Sequence, residues 1–180
     1  MCIRESLLSA TLGDTSTFET DLARRTGRET TVVSSSERPV PLVSEYVTSP
    51  VQETLEQLIE TGQTPVYVVH FTQLSALDRA QALTSIKVAT RAERDVIAEA
   101  IGDFRFSSAF GKTLSRLIRM GVGVHHAGML PRYRRLVETL TQQGLLKVVC
   151  GTDTLGVGIN VPIRTVLFSG LSKYDRTRQR

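Results

Sequence analysis

Cysteine is nearly absent from this chain of 180 residues: Cys2 and Cys150 form no CxxC pair and are too few to build a disulfide framework. A reducing, cytoplasmic setting is therefore the expectation. No apolar run approaches the roughly 18–20 residues that a membrane helix needs, and the N-terminus lacks the basic, then apolar, then small-residue order of an export signal. Neither a membrane partner nor secretion is expected. Charge of one sign is not in strong excess, since 22 Lys and Arg stand against 18 Asp and Glu, a net charge of +4. That tilt allows a polyanionic partner without requiring one. Internal repeats and low-complexity tracts are also missing, which argues against a solenoid or a disordered array.

What is present is an ordinary globular composition, 41% hydrophobic and 22% charged, enough for one main domain with a small appendage. Residues 6–12 read as a short buried strand, Phe18, Leu22 and Ala23 give helical spacing up to Gly27, and residues 30–33 read as a second short strand. The stretch from Ser34 to Pro39 is polar and proline-terminated, and marks a linker with a boundary near residue 38. Beyond it, residues 42–47 have strand character, and Val51, Leu55, Leu58 and Ile59 mark one face of a helix that closes at Gly62. Residues 66–71 are nearly all apolar, the pattern of a parallel strand buried on both faces. Helical stripes follow at 74–83, 91–101, 114–118 and 136–140, and short β-rich runs at 122–125, 147–150 and 165–168. This alternation predicts a three-layer α/β domain around a mostly parallel sheet.

In such sheets ligands bind where loops leave the carboxyl ends of the strands. The richest of these loops is CGTDTLGVGINVP, residues 150–162. Thr152 and Thr154 are placed to hold a phosphate, and Gly156 and Gly158 let a backbone or nucleotide approach with no Cβ in the way. The competing reading is a helix cap and a glycine turn with no ligand. His125 and His126 end another strand, where one ring in the core and one in water is the plainer expectation. A metal is not expected, because His70, His125 and His126 come without Cys or carboxylates at ligand spacing. Arg132, Arg134 and Arg135 have the chemistry to grip phosphates, or else form a solvated helix face. Gly111-Lys112-Thr113 mimics the end of a phosphate-binding loop, but Phe106 occupies the place of the required earlier glycine. Gly121-Val122-Gly123 likewise fails as a dinucleotide fingerprint, because its third glycine position is His126.

Several segments together resemble one family. GTDTLGVGINVP, residues 151–162, resembles motif V of the superfamily 2 DExH-box helicases in spacing and residue type. VGVHHAGMLP, residues 122–131, resembles the GVxHHAGM segment of the exosome-associated, Ski-like branch of that group. Ser9-Ala10-Thr11 followed by Leu12-Gly13 is similar to motif III, and VYVVHFT at 66–72 sits where motif IV opens the second RecA-like domain. Residues 165–168, followed by Ser172-Lys173-Tyr174-Asp175, resemble the strand and K(F/Y)D turn after motif V. SAT alone means little; five segments in the right order carry the resemblance.

The resemblance implies an α/β fold of the RecA-like (P-loop NTPase) type. Residues 1–37 would be a remnant of the first RecA-like domain, residues 38–50 a linker and first strand, and residues 51–180 a second RecA-like domain ending before motif VI. It implies that Thr72, His125, His126, Gly128, Thr152, Asp153 and Thr154 meet nucleic acid. Gly156, Gly158 and Asn160 would face ATP, while Ser9, Ala10 and Thr11 would couple nucleotide state to domain closure. The implied partners are single-stranded RNA or DNA, with RNA favoured by the branch, and the missing first RecA-like domain. The function implied is part of an ATP-dependent helicase using ATP and Mg2+ in the full-length enzyme. The Walker A, DExH and motif VI residues are not in this sequence, and Arg176 stands where the family usually has glycine. The apolar opening MCIRESLLSAT also has the character of a torn buried element. The chain alone is thus expected to bind ATP weakly at best and neither to hydrolyse it nor to unwind a duplex. The alternative is a non-catalytic nucleic-acid- or protein-binding fragment of a truncated helicase gene.

Overall fold

The computed structural model describes residues 13–35, 40–153, 161–172, 174–175 and 178–179. The chain divides into two compact units, Met1–Glu45 and Tyr46–Arg180. The strand expected at residues 6–12 lies outside the described residues.

In the first unit, helix α1 spans Ser16–Thr26. Asp14 accepts the Ser16 backbone N–H at 3.0 Å, and Gly27 closes the helix in the left-handed conformation at φ 64°. Arg24 and Arg25 both pair with Asp21, at 2.7 and 2.6 Å, on the exposed face. The strands expected at 30–33 and 42–47 do not form. Their β-branched residues favour an extended backbone, but a strand also needs a neighbour to take its N–H and C=O groups. No such pairing occurs among the described residues there, and Val33 and Val43 are left 93% and 89% exposed.

The second unit holds the sheet. Helix α2, Val51–Glu60, follows Pro50, buries Leu55 and Thr54, and is succeeded by Gly62 at φ 69°. Strand β1, Val66–His70, is buried at all five positions. After it come α3 (Gln73–Ala82), a short 3-10 turn (Leu83–Ser85), α4 (Arg91–Ile101) and α5 (Ala109–Arg119). The chain continues through β2 (Val122–His125), α6 (Pro131–Gln142), β3 (Val148–Thr152) and β4 (Thr165–Phe168). A small antiparallel pair, β5 (Tyr174–Asp175) with β6 (Arg178–Gln179), comes last.

The main sheet has the order β2-β3-β1-β4 and every pairing in it is parallel. Strand β3 begins one residue later than the sequence pattern indicates and runs on through Gly151 and Thr152, because β1 continues to His70, the partner of Thr152. Tyr67, Val149 and Gly123 are register partners and share one face. A Cβ on Gly123 would press on Val137 of α6 and on Leu146, both about 3 Å away, so the missing side chain is what lets α6 settle there. The opposite face carries Val66, Val68, Val122, Val124, Val148 and Cys150, all buried, as a parallel sheet covered on both sides requires. Strand β4 differs: Val166 and Phe168 are 52% and 59% exposed, and only its alternate residues pack inward.

Helix α4 shows how the surroundings are tied in. Thr90 and Glu93 form a reciprocal capping box, and Glu93 also pairs with Lys147 at 2.8 Å, joining the helix start to the residue before β3. The hydrogen bond from Lys147, then that from the Thr90 backbone, pull the Glu93 carboxyl down to about 2. The Gly-Lys-Thr stretch lies inside α5, where Ser108 caps the helix by accepting the Gly111 N–H at 2.9 Å. The space a Gly111 side chain would need is filled by the Tyr133 hydroxyl, so this glycine serves helix packing rather than a phosphate loop.

Two outcomes are expected. Leu117→Ala, at a fully buried site, should lower unfolding free energy by about 3 kcal/mol in urea titration. Glu93 has a folded pKa of about 2 against an ordinary 4.5, so its contribution is fully present above pH 4.5 and is lost as pH falls towards 2. Glu93→Gln should flatten that part of the stability curve; with the side chain 42% exposed, solvent screening limits the loss at neutral pH to about 1 kcal/mol.

Candidate functional site

In a parallel sheet all carboxyl ends emerge on one edge. Here the register sets His70 beside Thr152 and His125 beside Gly151. Thr72, His125, His126, Gly128, Thr152 and Asp153 therefore gather along one edge, on three neighbouring strands and the loops that leave them. Ser9, Ala10, Thr11, Thr154, Gly156, Gly158 and Asn160 lie outside the described residues.

Thr72 caps α3: its hydroxyl accepts the Ser75 N–H at 3.0 Å, at a helix start where unpaired amides favour an anion. Thr152 is the last residue of β3 and is buried, whereas Asp153 just beyond it is exposed. The Tyr67 hydroxyl donates to the Thr152 carbonyl oxygen. Cys150, two residues earlier, is a free thiol whose pKa burial pushes up to about 12, which makes it unreactive at neutral pH.

The histidines are more deeply set than their sequence position indicates. Both His125 and His126 are buried, so neither ring stands in water. His125 Nε2 lies 3.0 Å from Glu138 of α6, and Arg134 approaches the same carboxylate at 3.8 Å. His126 meets the Phe110 ring edge-on at 6.1 Å. His70 has its Nδ1 3.1 Å from the Ser169 hydroxyl, which donates its own hydrogen to the Val69 carbonyl at 2.8 Å. That hydroxyl must then accept from His70 Nδ1, which fixes the neutral ring with its proton on Nδ1. Burial lowers the pKa of all three; Arg79 adds to this at His70 and His125 adds to it at His126, while Glu138 opposes it at His125.

Gly128 belongs to the loop after His126. A Cβ there would come within 2.6 Å of the Gln73 amide oxygen, so backbone and α3 meet closely at this point. Next to it opens a cavity of about 560 Å³ lined by Gln73, Leu77, Phe110, His126, Met129 and Tyr133 among others. Arg132 is engaged elsewhere: its guanidinium stacks 5.3 Å from the Phe104 centroid and 4.9 Å from that of Tyr133, and donates to the Arg105 carbonyl. It therefore braces an aromatic cluster rather than standing ready for phosphate, and Arg134 leans toward Glu138. Arg135 is exposed. Among the described residues no group of three His, Cys, Asp or Glu side chains is placed to hold a metal. Sequence reasoning passed over Tyr67 and Glu138, because nothing in the linear pattern announces a contact between β1 and the end of β3, or between β2 and α6.

No family model matches the chain. Individual proteins do. The chain is 35% identical over 128 residues to Superkiller complex protein 2 of Mus musculus, covering 67% of this chain and 10% of that protein. It is 34% identical over 129 residues to the DExH-box ATP-dependent RNA helicase DExH11 of Arabidopsis thaliana, covering 67% and 10% respectively. With Exosome RNA helicase MTR4 of Homo sapiens it shares 30% identity over 139 residues, 71% of this chain and 13% of that protein. The chain thus matches about a tenth of the length of these relatives.

The buried histidines make a pH prediction. Since their folded pKa values lie below the unfolded value of 6.5, the unfolded chain takes up protons first. Stability is held above pH 6.5 and falls as the pH drops below it, by at most about 1.4 kcal/mol per pH unit for each histidine. Thermal melting should therefore shift down between pH 7.5 and 5.5, and His126→Asn should make the slope shallower. A flat profile would count against the buried, neutral rings.

Proposed function

Because the chain belongs to the Ski-like branch of the DExH-box RNA helicases, we propose that it supplies the second RecA-like lobe of an ATP-dependent RNA helicase and uses the carboxyl edge of its sheet to hold a single strand. In this reading residues 1–37 derive from the first lobe, residues 38–50 connect the two, and residues 51–180 form the second. Cytoplasmic action belongs to the same proposal, and the reduced Cys150 is compatible with it.

The observation that carries the reading is the register of three adjacent parallel strands, which aligns the ends of β1, β2 and β3. Thr72 at a helix start offers backbone amides to a phosphate. His125, His126 and Gly128 border the same path, and Thr152, Asp153 and Thr154 would complete it. Such contacts lie on the backbone of the nucleic acid and carry no base specificity, as suits an enzyme that moves along a strand.

ATP and Mg2+ are the cofactors proposed for the whole enzyme, with Gly156, Gly158 and Asn160 facing the nucleotide and Ser9, Ala10 and Thr11 coupling it to lobe closure. The described residues of this chain do not themselves fit a triphosphate, since the Gly-Lys-Thr stretch is helical and packed against Tyr133. The chain alone is accordingly proposed to be without ATPase or unwinding activity, as part of the same reading.

The test is fluorescence anisotropy of a labelled single-stranded RNA titrated with the chain at two salt concentrations, beside Thr152→Ala. Binding should weaken with salt, and Thr152→Ala should reduce affinity by about three- to tenfold, the loss of one phosphate-directed contact. Affinity indifferent to both salt and the substitution would overturn the reading.

A further inference from the structure

Tyr67 is the second residue of β1, between two valines, where an apolar side chain would fill the same space. Its hydroxyl nevertheless reaches along the sheet to donate to the carbonyl oxygen of Thr152, 85 residues further on. The register explains how. Tyr67 is paired with Val149, and its ring leans past Gly151 toward the end of β3. Gly151 provides the room, since a Cβ at that position would fall on the Tyr67 hydroxyl and on the His125 carbonyl oxygen. A large donor on one strand is therefore matched to a missing side chain on its neighbour. Burial, and then the nearness of Cys150 and Asp153, raise the pKa of the phenol, so it remains a protonated donor throughout the physiological range.

We propose that Tyr67 is a positioning residue for Thr152 and Asp153: it pins the peptide at which β3 ends and so fixes where these two residues meet the single strand. The inference rests on the reading of this sheet edge as the strand-binding face. Tyr67 would touch no nucleic acid, being buried one strand away; it would act through the Thr152 carbonyl.

The experiment compares three versions of the full chain. Tyr67→Phe keeps the ring and removes the donor. Val88→Ala removes buried apolar volume near Gly121, at the opposite edge of the sheet, and serves as a stability control. For each, the affinity for a labelled single-stranded RNA is measured together with hydrogen exchange of the amides at residues 148–153. Tyr67→Phe should weaken RNA binding by about three- to tenfold and speed exchange at 152 and 153, while Val88→Ala lowers the melting temperature without either effect. Wild-type affinity in Tyr67→Phe would overturn the proposal, as would an equal loss in Val88→Ala, which would mark a general effect of stability. If the unaltered chain binds no RNA, the functional reading fails instead, and exchange then decides the positioning claim: unchanged protection at 152 and 153 in Tyr67→Phe would refute it.

Discussion

Strand β1 is bonded along both edges, to β3 on one side and β4 on the other, and all five of its residues are buried. Everything described at the site follows from that arrangement. A strand with two parallel neighbours and two covered faces has no freedom to slip, since a shift of one residue would turn each side chain to the wrong face. Once β1 is fixed, Thr152 must stand beside His70, and β2 in turn places His125 beside Gly151. Residues far apart in the chain, His70 with Thr152 and His125 with Gly151, are brought into line by backbone pairing.

The sheet is then finished by what certain positions leave out. Gly123 lets α6 approach β2, Gly111 lets α5 receive the Tyr133 hydroxyl, and Gly151 clears a path for Tyr67. Each absence is answered by a specific large or polar neighbour, as close packing demands. The same logic governs Gly128, where the Gln73 amide occupies the space a side chain would claim. These glycines take their meaning from contact across elements, and two of them, Gly128 and Gly151, border the region where the strands end.

How much of this could be read in the linear sequence depended on whether the signal was local. The run at 66–70 is apolar throughout because both faces are covered, and that is visible without any partner. Helix α4 matches its expected limits at both ends, with Thr90 and Glu93 supplying a start signal within one turn. The family likeness rested on ordered motifs and led to the right kind of relative. The strands expected at 30–33 and 42–47 misled because β-branched residues favour an extended backbone whether or not a neighbour exists to complete the ladder. The strand expected to end at residue 150 runs on through Gly151, whose purpose is apparent only after Tyr67 is set opposite. One ring of the His125–His126 pair was expected in water, yet both are buried, and the Phe110 ring that shelters His126 comes from α5, the helix just before β2.

Strand β4 has a bearing on how freely this sheet can vary over time. Its backbone is needed, because it completes the pairing of β1, but Val166 and Phe168 turn away from the packed interior and stand in solvent. Selection for a stable core therefore acts weakly on those two side chains, while the alternate residues Thr165 and Leu167 remain partly enclosed. Exposed aliphatic and aromatic groups at such unconstrained places also cost solubility. Replacing Val166, inside the strand, with a polar residue is a direct way to make the molecule easier to handle without disturbing the edge where the strands end.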